Sequence, residues 1–154
     1  MTTYHLAQVN IALARAEIDS PEMHGFTSRL DEINRLAEES NGFVWRLTGN
    51  GDDATSIRVF EDPMMLVNMS VWQDLDSLKA YVYKSAHVTL IRERQAWFHK
   101  LDIAHQALWW IRAGHIPTLE EAENKLEQIQ TRGPTASAFS FAQAFPPPDS
   151  GTSR

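Results

Sequence analysis

Between Tyr4 and Leu13 polar and apolar residues alternate. His5, Ala7, Val9, Ile11 and Leu13 fall on one side, and Tyr4, Leu6, Gln8, Asn10 and Ala12 on the other. A period of two is that of a strand. After Ser20-Pro21 the period lengthens. Met23, Phe26, Leu30, Ile33 and Leu36 recur at spacings of three and four, with Arg29, Asp31, Glu32, Arg35, Glu38 and Glu39 opposite them. That pattern predicts an amphipathic helix, stopped near Asn41-Gly42. The segment "GFVWRLT", Gly42 to Thr48, is short, aromatic and β-branched and reads as a strand. "GNGDDATS" after it reads as a turn-rich loop, and Ile57 to Glu61 carries a weaker strand signal.

Met64 to Trp72 alternates again, with Met65, Val67, Met69 and Val71 on an apolar face and Leu66, Asn68, Ser70 and Trp72 on a mixed one. Asp74 suits the N-cap of a long helix running to about Lys100. His105 to Arg112 is a further strand, closed by Ala113-Gly114. Thr118-Leu119-Glu120-Glu121 forms a capping-box pattern that opens a third helix, with Leu119, Ala122, Leu126 and Ile129 on its inner stripe and Gly133-Pro134 as its stop. Phe139 to Phe145 offers an edge strand, and the tail from Pro146, "PPPDSGTSR", is expected to be disordered.

The element order predicts an α+β, ferredoxin-like βαββαβ domain over residues 1–145 with an appended C-terminal helix, and a disordered tail over 146–154. Helices are expected on one sheet face only. The other face, with Leu6, Phe43 or Val44, Leu66, Trp72 and Leu108, is too apolar to stay in water, so a second copy is expected to cover it. The result would be a homodimeric α/β barrel with an interior space between its two sheets.

Composition narrows the chemistry. The chain has 154 residues, 43% of them hydrophobic, enough for the core of one domain. A formal charge of −6 with no basic stripe argues against a nucleic-acid partner. No apolar run is long enough to span a bilayer and no signal-peptide pattern opens the chain, so a cytoplasmic location without membrane association is expected. With no cysteine there is no disulfide, thiolate nucleophile or cysteine-ligated metal. No H-x-H, H-x-x-x-H or H-E-x-x-H spacing suggests a metal site, and no G-x-S-x-G, Walker or G-x-G-x-x-G motif supports hydrolase, NTPase or dinucleotide chemistry.

Three blocks, "FTSRLDEINRLAEESNGFVWRL", "NMSVWQDLDSLKAYVYKSAHVTLIRERQAWF" and "LWWIRAGHIPTLEEAENKLEQIQTRGPTASAF", resemble a bacterial family catalogued as a domain of unknown function and placed with the dimeric α/β-barrel superfamily. That superfamily includes antibiotic-biosynthesis monooxygenases, which oxidise aromatic polyketides without a cofactor, and heme-degrading monooxygenases. The first resemble this chain in an Asn four residues before a strand-ending Trp, here Asn68 and Trp72. The second use an Asn on the first strand, the Trp and a His on the following helix, for which Asn10, Trp72 and His87 are the candidates.

The residues themselves allow these roles and blander ones. Asn68, Ser70 and Trp72 share a face by the period of two. Asn68 can hold a substrate oxygen or tie down a loop, and Trp72 can stack an aromatic ligand or fill the core. His87 is the acid/base candidate, since its ordinary pKa lies near neutrality, and the cap of a buried network would read identically. Tyr83, His87, Leu90 or Ile91, Arg94 and Phe98 form a second stripe on the long helix, which faces the pocket or the dimer partner; Tyr83 and Arg94 are the ligand-binding candidates on it, Arg94 as a propionate partner if heme binds. "RERQAWFHK" otherwise reads as a solvated or inter-subunit face. Trp109 and Trp110 point to opposite faces, and Trp110 joins Asn10 in the expected cavity lining, with Gln8 the alternative if the strand slips by one residue.

The leading expectation is a cofactor-free, monooxygenase-like activity on an aromatic or polyketide-like small molecule, with His87, Asn68 and Trp72 catalytic and Asn10, Ser70, Tyr83, Trp110 and Arg94 binding. The alternatives are a non-catalytic small-ligand-binding dimer and a heme-binding or heme-degrading protein.

Overall fold

The computed structural model describes residues 3–16, 20–28, 30–47, 65–84, 97–99 and 105–148. Its hub is strand β1 (Tyr4–Ala14). Along one edge runs β3 (Met65–Trp72), antiparallel, with Leu6 opposite Trp72, Gln8 opposite Ser70 and Asn10 opposite Asn68. Outside it lies β2 (Phe43–Arg46), antiparallel to β3 with an irregular register between Phe43 and Trp45. The other edge of β1 is shared by two strands. β5 (Gln106–Arg112) places Trp110 opposite Leu6, Leu108 opposite Gln8 and Gln106 opposite Asn10. The short β4 (Phe98–His99) pairs with Leu13 and Ala14. The five-stranded sheet, β2-β3-β1 with β4 and β5 both paired to β1, antiparallel throughout, is the ferredoxin-like arrangement that the alternating segments predict, with β4 added.

The first helical stretch is broken into pieces: a 3₁₀ turn at Pro21–Met23, α1 (His24–Thr27) and α2 (Leu30–Glu39). After β3, the Asp74 carboxylate accepts from the Ser77 N–H at 2.8 Å and so caps α3 (Leu75–Lys84). α4 (Leu119–Arg132) opens as its capping box predicts, with the Glu121 N–H donating to Thr118 Oγ1 at 3.0 Å.

Helices occupy both faces of the sheet, contrary to the one-sided expectation. α4 buries Ala122, Leu126 and Ile129 against Ala7, Val9, Ile11, Val67, Met69, Val71 and Trp109. On the opposite face Leu6, Trp72 and Leu108, expected to await a second copy, are fully buried within this chain. They pack with Ala37 of α2, with Leu75, Leu78, Tyr81 and Val82 of α3, and with Phe139. The physical reason is that α4 carries its own apolar stripe, which closes one face and leaves α2 and α3 for the other. Each such side chain contributes about 1.5–3 kcal/mol by leaving water. The face expected to line a space between two subunits is thus covered by the chain's own helices.

Two further elements differ from expectation. The helix predicted to reach Lys100 does not do so, because 97–99 lie in the sheet: the Arg15 N–H donates to Trp97 O at 2.7 Å and β4 follows. Trp97 and Phe98 bury with Ala14 and Met23, and an apolar stripe alone does not distinguish a buried strand from a helix face. Of the expected edge strand at Phe139–Phe145, only Phe139 pairs, exchanging both backbone hydrogen bonds with Leu108 at 2.8 Å. The weak strand signal at 57–61 and residues 149–154 of the tail lie outside the described residues. No helix among the described residues is long and apolar enough to cross a membrane.

Candidate functional site

The α3 face of the sheet is apolar at both ends and polar in the middle. One end is the cluster around Leu6, Trp72 and Leu108; the other joins Ala14, Met23, Trp97 and Phe98 with Ala12, Phe26 and Leu66. Between them the register sets Asn68, Asn10 and Gln106 in a row across β3, β1 and β5, and behind it Ser70 beside Gln8. Alternation on paired strands brings these carboxamides to one face.

Gln8 and Ser70 are the buried polar residues of this patch, with 3% and 7% of their surfaces exposed. Both hydrogens of the Gln8 amide are used: Nε2 donates to Asn68 Oδ1 at 2.8 Å and to Ser70 Oγ at 2.9 Å. Ser70 Oγ also accepts the Trp72 Nε1–H at 2.9 Å, and Gln8 Oε1 accepts a long bond from Asn10 Nδ2 at 3.5 Å. Asn68 is exposed, and its Nδ2 makes no hydrogen bond to a described residue. A buried, internally paired layer therefore holds an amide whose donors face outward.

The expected ligand wall, Trp72, lies beneath this layer rather than in it. Tyr81 stacks on its ring at 5.2 Å, Phe43 meets it edge-on at 5.5 Å, and none of its surface is exposed. Its contribution is to anchor Ser70. The Tyr81 hydroxyl donates to Ile33 O at 3.2 Å, joining α3 to α2. Burial pushes the Tyr81 phenol well above its ordinary range, against an opposing pull from the Arg46 guanidinium, so it stays protonated at neutral pH. Arg46, opposite Ser70, has its Nε 2.7 Å from Glu38 Oε2. The cation bordering the patch is thereby paired with a carboxylate.

Of the residues expected at the site, the structure brings together Asn10, Asn68, Ser70 and Trp72. Trp110 lies on the same face, across Leu6 from Trp72 in the apolar cluster, with its Nε1–H donating to Phe145 O at 2.8 Å and its ring beside Phe139. Tyr83 is 60% exposed on α3, with its ring 6.1 Å from Phe141. His87 and Arg94 lie outside the described residues. Gln8 entered the sequence reading only as an alternative to Asn10, although both belong to the same face. Gln106 was missed, because its place beside Asn10 is a matter of pairing register, which the sequence of one strand does not contain.

A second polar cluster lies at the start of α4. Glu121 takes the Trp109 Nε1–H at 2.8 Å and sits 2.9 Å from His115 Nε2. Burial alone would raise the Glu121 carboxyl; bonds from His115 and Trp109, the nearby His115 charge and the Thr118 backbone outweigh it and hold the carboxyl below its ordinary range. This is a fastening of the β5–α4 connection, on the sheet face opposite the carboxamides. Among the described residues no group of three His, Asp or Glu is placed to hold a metal. For a heme, the candidate axial imidazole, His87, lies outside the described residues, and His5 lies on the α4 face of β1, away from the patch.

Comparison with known proteins agrees with the sequence resemblance. A family model described as "Domain of unknown function (DUF3291)" matches residues 5–154. No curated protein sequence matches the chain. Among solved structures, a protein of unknown function from Nitrosomonas europaea, NE2512, is 12% identical over 77% of this chain and 99% of its own, with a TM-score of 0.48. SnoaB, a cofactor-independent oxygenase from Streptomyces nogalater, is 16% identical over 75% of this chain and 96% of its own, with a TM-score of 0.47. MupZ from Pseudomonas fluorescens is 14% identical over 97% and 93%, with a TM-score of 0.43.

Proposed function

This chain belongs to the DUF3291 family, a domain of unknown function, and we propose that it is a small-molecule-binding protein whose site is the carboxamide patch on the α3 face. One observation carries the reading: exposed Asn68 is oriented by buried Gln8, itself tied to Ser70, whose hydroxyl oxygen also takes the Trp72 N–H. A structural role accounts for the buried members. It does not account for an outward amide held by two layers of support, which is how a binding group is kept in one geometry. Among the described residues of the patch the carboxamides carry no charge and Arg46 is paired, so the ligand edge that meets them is polar and uncharged.

A second reading, favoured by the outward donors of Asn68, is oxidation of an aromatic or polyketide-like molecule without a cofactor. Asn68 would hold an oxygen that becomes anionic when a proton leaves, and His87 would take that proton. One dioxygen is consumed per ligand. One oxygen atom stays on the ligand, the other leaves as water, and the electrons come from the ligand's own C–H bonds.

Native mass spectrometry of the purified protein, beside its visible spectrum, tests the first reading. The expected result is an added small mass held by the wild type and lost from Asn68→Leu; the same spectrum reads the oligomeric state. Retention of that mass by the variant would place the site elsewhere, and a Soret band would turn the assignment to heme. With anthrone as probe, oxygen uptake unaffected by Asn68→Leu and His87→Ala sinks the oxidation reading.

A further inference from the structure

We infer that Gln8 fixes the hydrogen-bonding pattern which the patch shows to its ligand: Asn68 and Asn10 together present one donor and one acceptor, and the ligand carries the complementary pair, a carbonyl oxygen beside an N–H or O–H, on one edge. The inference rests on the patch being the ligand site.

A carboxamide has two N–H donors on one atom and an acceptor oxygen on the other. Gln8 spends both hydrogens on Asn68 Oδ1 and Ser70 Oγ, and its oxygen faces Asn10 Nδ2. Asn68 must then turn its oxygen inward and its N–H groups outward, while Asn10 turns its nitrogen inward and its oxygen outward. The two asparagines are direct cross-strand partners, so the outward donor and the outward acceptor are neighbours.

Reversing the Gln8 amide reverses the whole set. Its oxygen would accept from Asn68 Nδ2 and from the Ser70 hydroxyl, which is able to turn because the Ser70 oxygen already takes the Trp72 N–H. Its nitrogen would donate to Asn10. Asn68 would then show the acceptor and Asn10 the donor. Both show one of each, but only the first uses both Gln8 N–H groups; the reversed one leaves one of them without a partner among the described residues. Two outward donors or two outward acceptors would leave a Gln8 atom unpaired where 3% of the residue is exposed, which is unfavourable. Gln8 is thus a positioning residue that acts through its two neighbours.

The test uses the full chain and three probes of similar size: carbostyril, with adjacent N–H and carbonyl; N-methylcarbostyril, with the carbonyl alone; and indole, with the N–H alone. Binding is followed by NMR titration. The wild type is expected to bind carbostyril at least tenfold more tightly than either of the others. Asn68→Asp keeps the oxygen that Gln8 needs and turns a second oxygen outward, giving two acceptors. Carbostyril should weaken tenfold or more and fall behind indole. Gln8→Glu should draw the N–H groups of both asparagines inward and give the same reversal from a residue that touches no ligand. Asn68 is exposed, so its variant carries the test if the Gln8 variant does not fold. Equal wild-type binding of all three probes overturns the pairing and leaves the site standing. Failure of all three to bind overturns both. A uniform loss across the probes in Gln8→Glu marks a merely structural role and overturns the inference.

Discussion

Gln8 and Ser70 face each other across β1 and β3, with Gln8 Nε2 2.9 Å from Ser70 Oγ, and the same oxygen receives the Trp72 N–H. One hydroxyl thus satisfies two buried donors. Ser70→Ala strands both and is expected to cost about 1–3 kcal/mol, read as a lower urea midpoint with an unchanged slope. Adding Trp72→Phe removes one of the stranded donors, so the double variant should lose less than the sum of the two single ones. Strict additivity would mean that the two side chains do not share the hydroxyl.

Tyr81 predicts an alkaline effect. Its phenol is raised above the ordinary value of about 10, because burial penalises the phenolate more than Arg46 favours it. A raised acid is bound more tightly to its proton in the fold. The stabilisation is therefore complete below the ordinary value and is lost as pH climbs from there towards the folded one. Ultraviolet titration should show a late phenolate, and Tyr81→Phe should remove that component. A titration with no late component would contradict the packing of Tyr81 on Trp72.

Glu121 predicts the opposite limb. Its carboxyl is held below the ordinary range, so its contribution is present above the unfolded value and is lost as pH falls through the folded one. Acid unfolding of Glu121→Gln should lack that portion of the wild-type pH dependence. Trp109 fluorescence reports the same event, since its N–H donates to Glu121. Parallel acid curves for the two proteins would show that the carboxylate is not engaged.

Gly42 lies at φ 86°, and a Cβ there would run into the Ser77 side chain at the start of α3. Its carbonyl also takes the Gln73 N–H at 2.7 Å. Gly42→Ala is expected to cost about 1–3 kcal/mol by thermal or denaturant unfolding. A neutral effect would place the chain between α2 and β2 differently.

The fold was legible where the period was clean. Tyr4 to Ala14 and Met65 to Trp72 are strands because their apolar residues alternate, and the Thr118 capping box marks the start of α4. It was not legible at Trp97 and Phe98, whose stripe fits a helix equally well and whose strand pairing is a tertiary outcome. Nor did the strands say which face each helix would choose. The site was half visible: parity puts Asn68, Ser70 and Trp72 together, but Trp72 proved to be packed under Tyr81, and Gln106 reaches the row only through the β1–β5 register.

That row has a kinetic consequence. Asn68, Asn10 and Gln106 come from segments far apart in the chain, and Asn68 and Gln106 must each wait for its strand to find β1, which carries Asn10. Closing such long loops costs entropy before any contact rewards it, and domains dominated by such pairings fold slowly. The complete row is therefore displayed only once both pairings have formed. A ligand that needs all three amides would recognise only molecules in which both edges of the central strand are already occupied, and would slow their unfolding without hastening their folding.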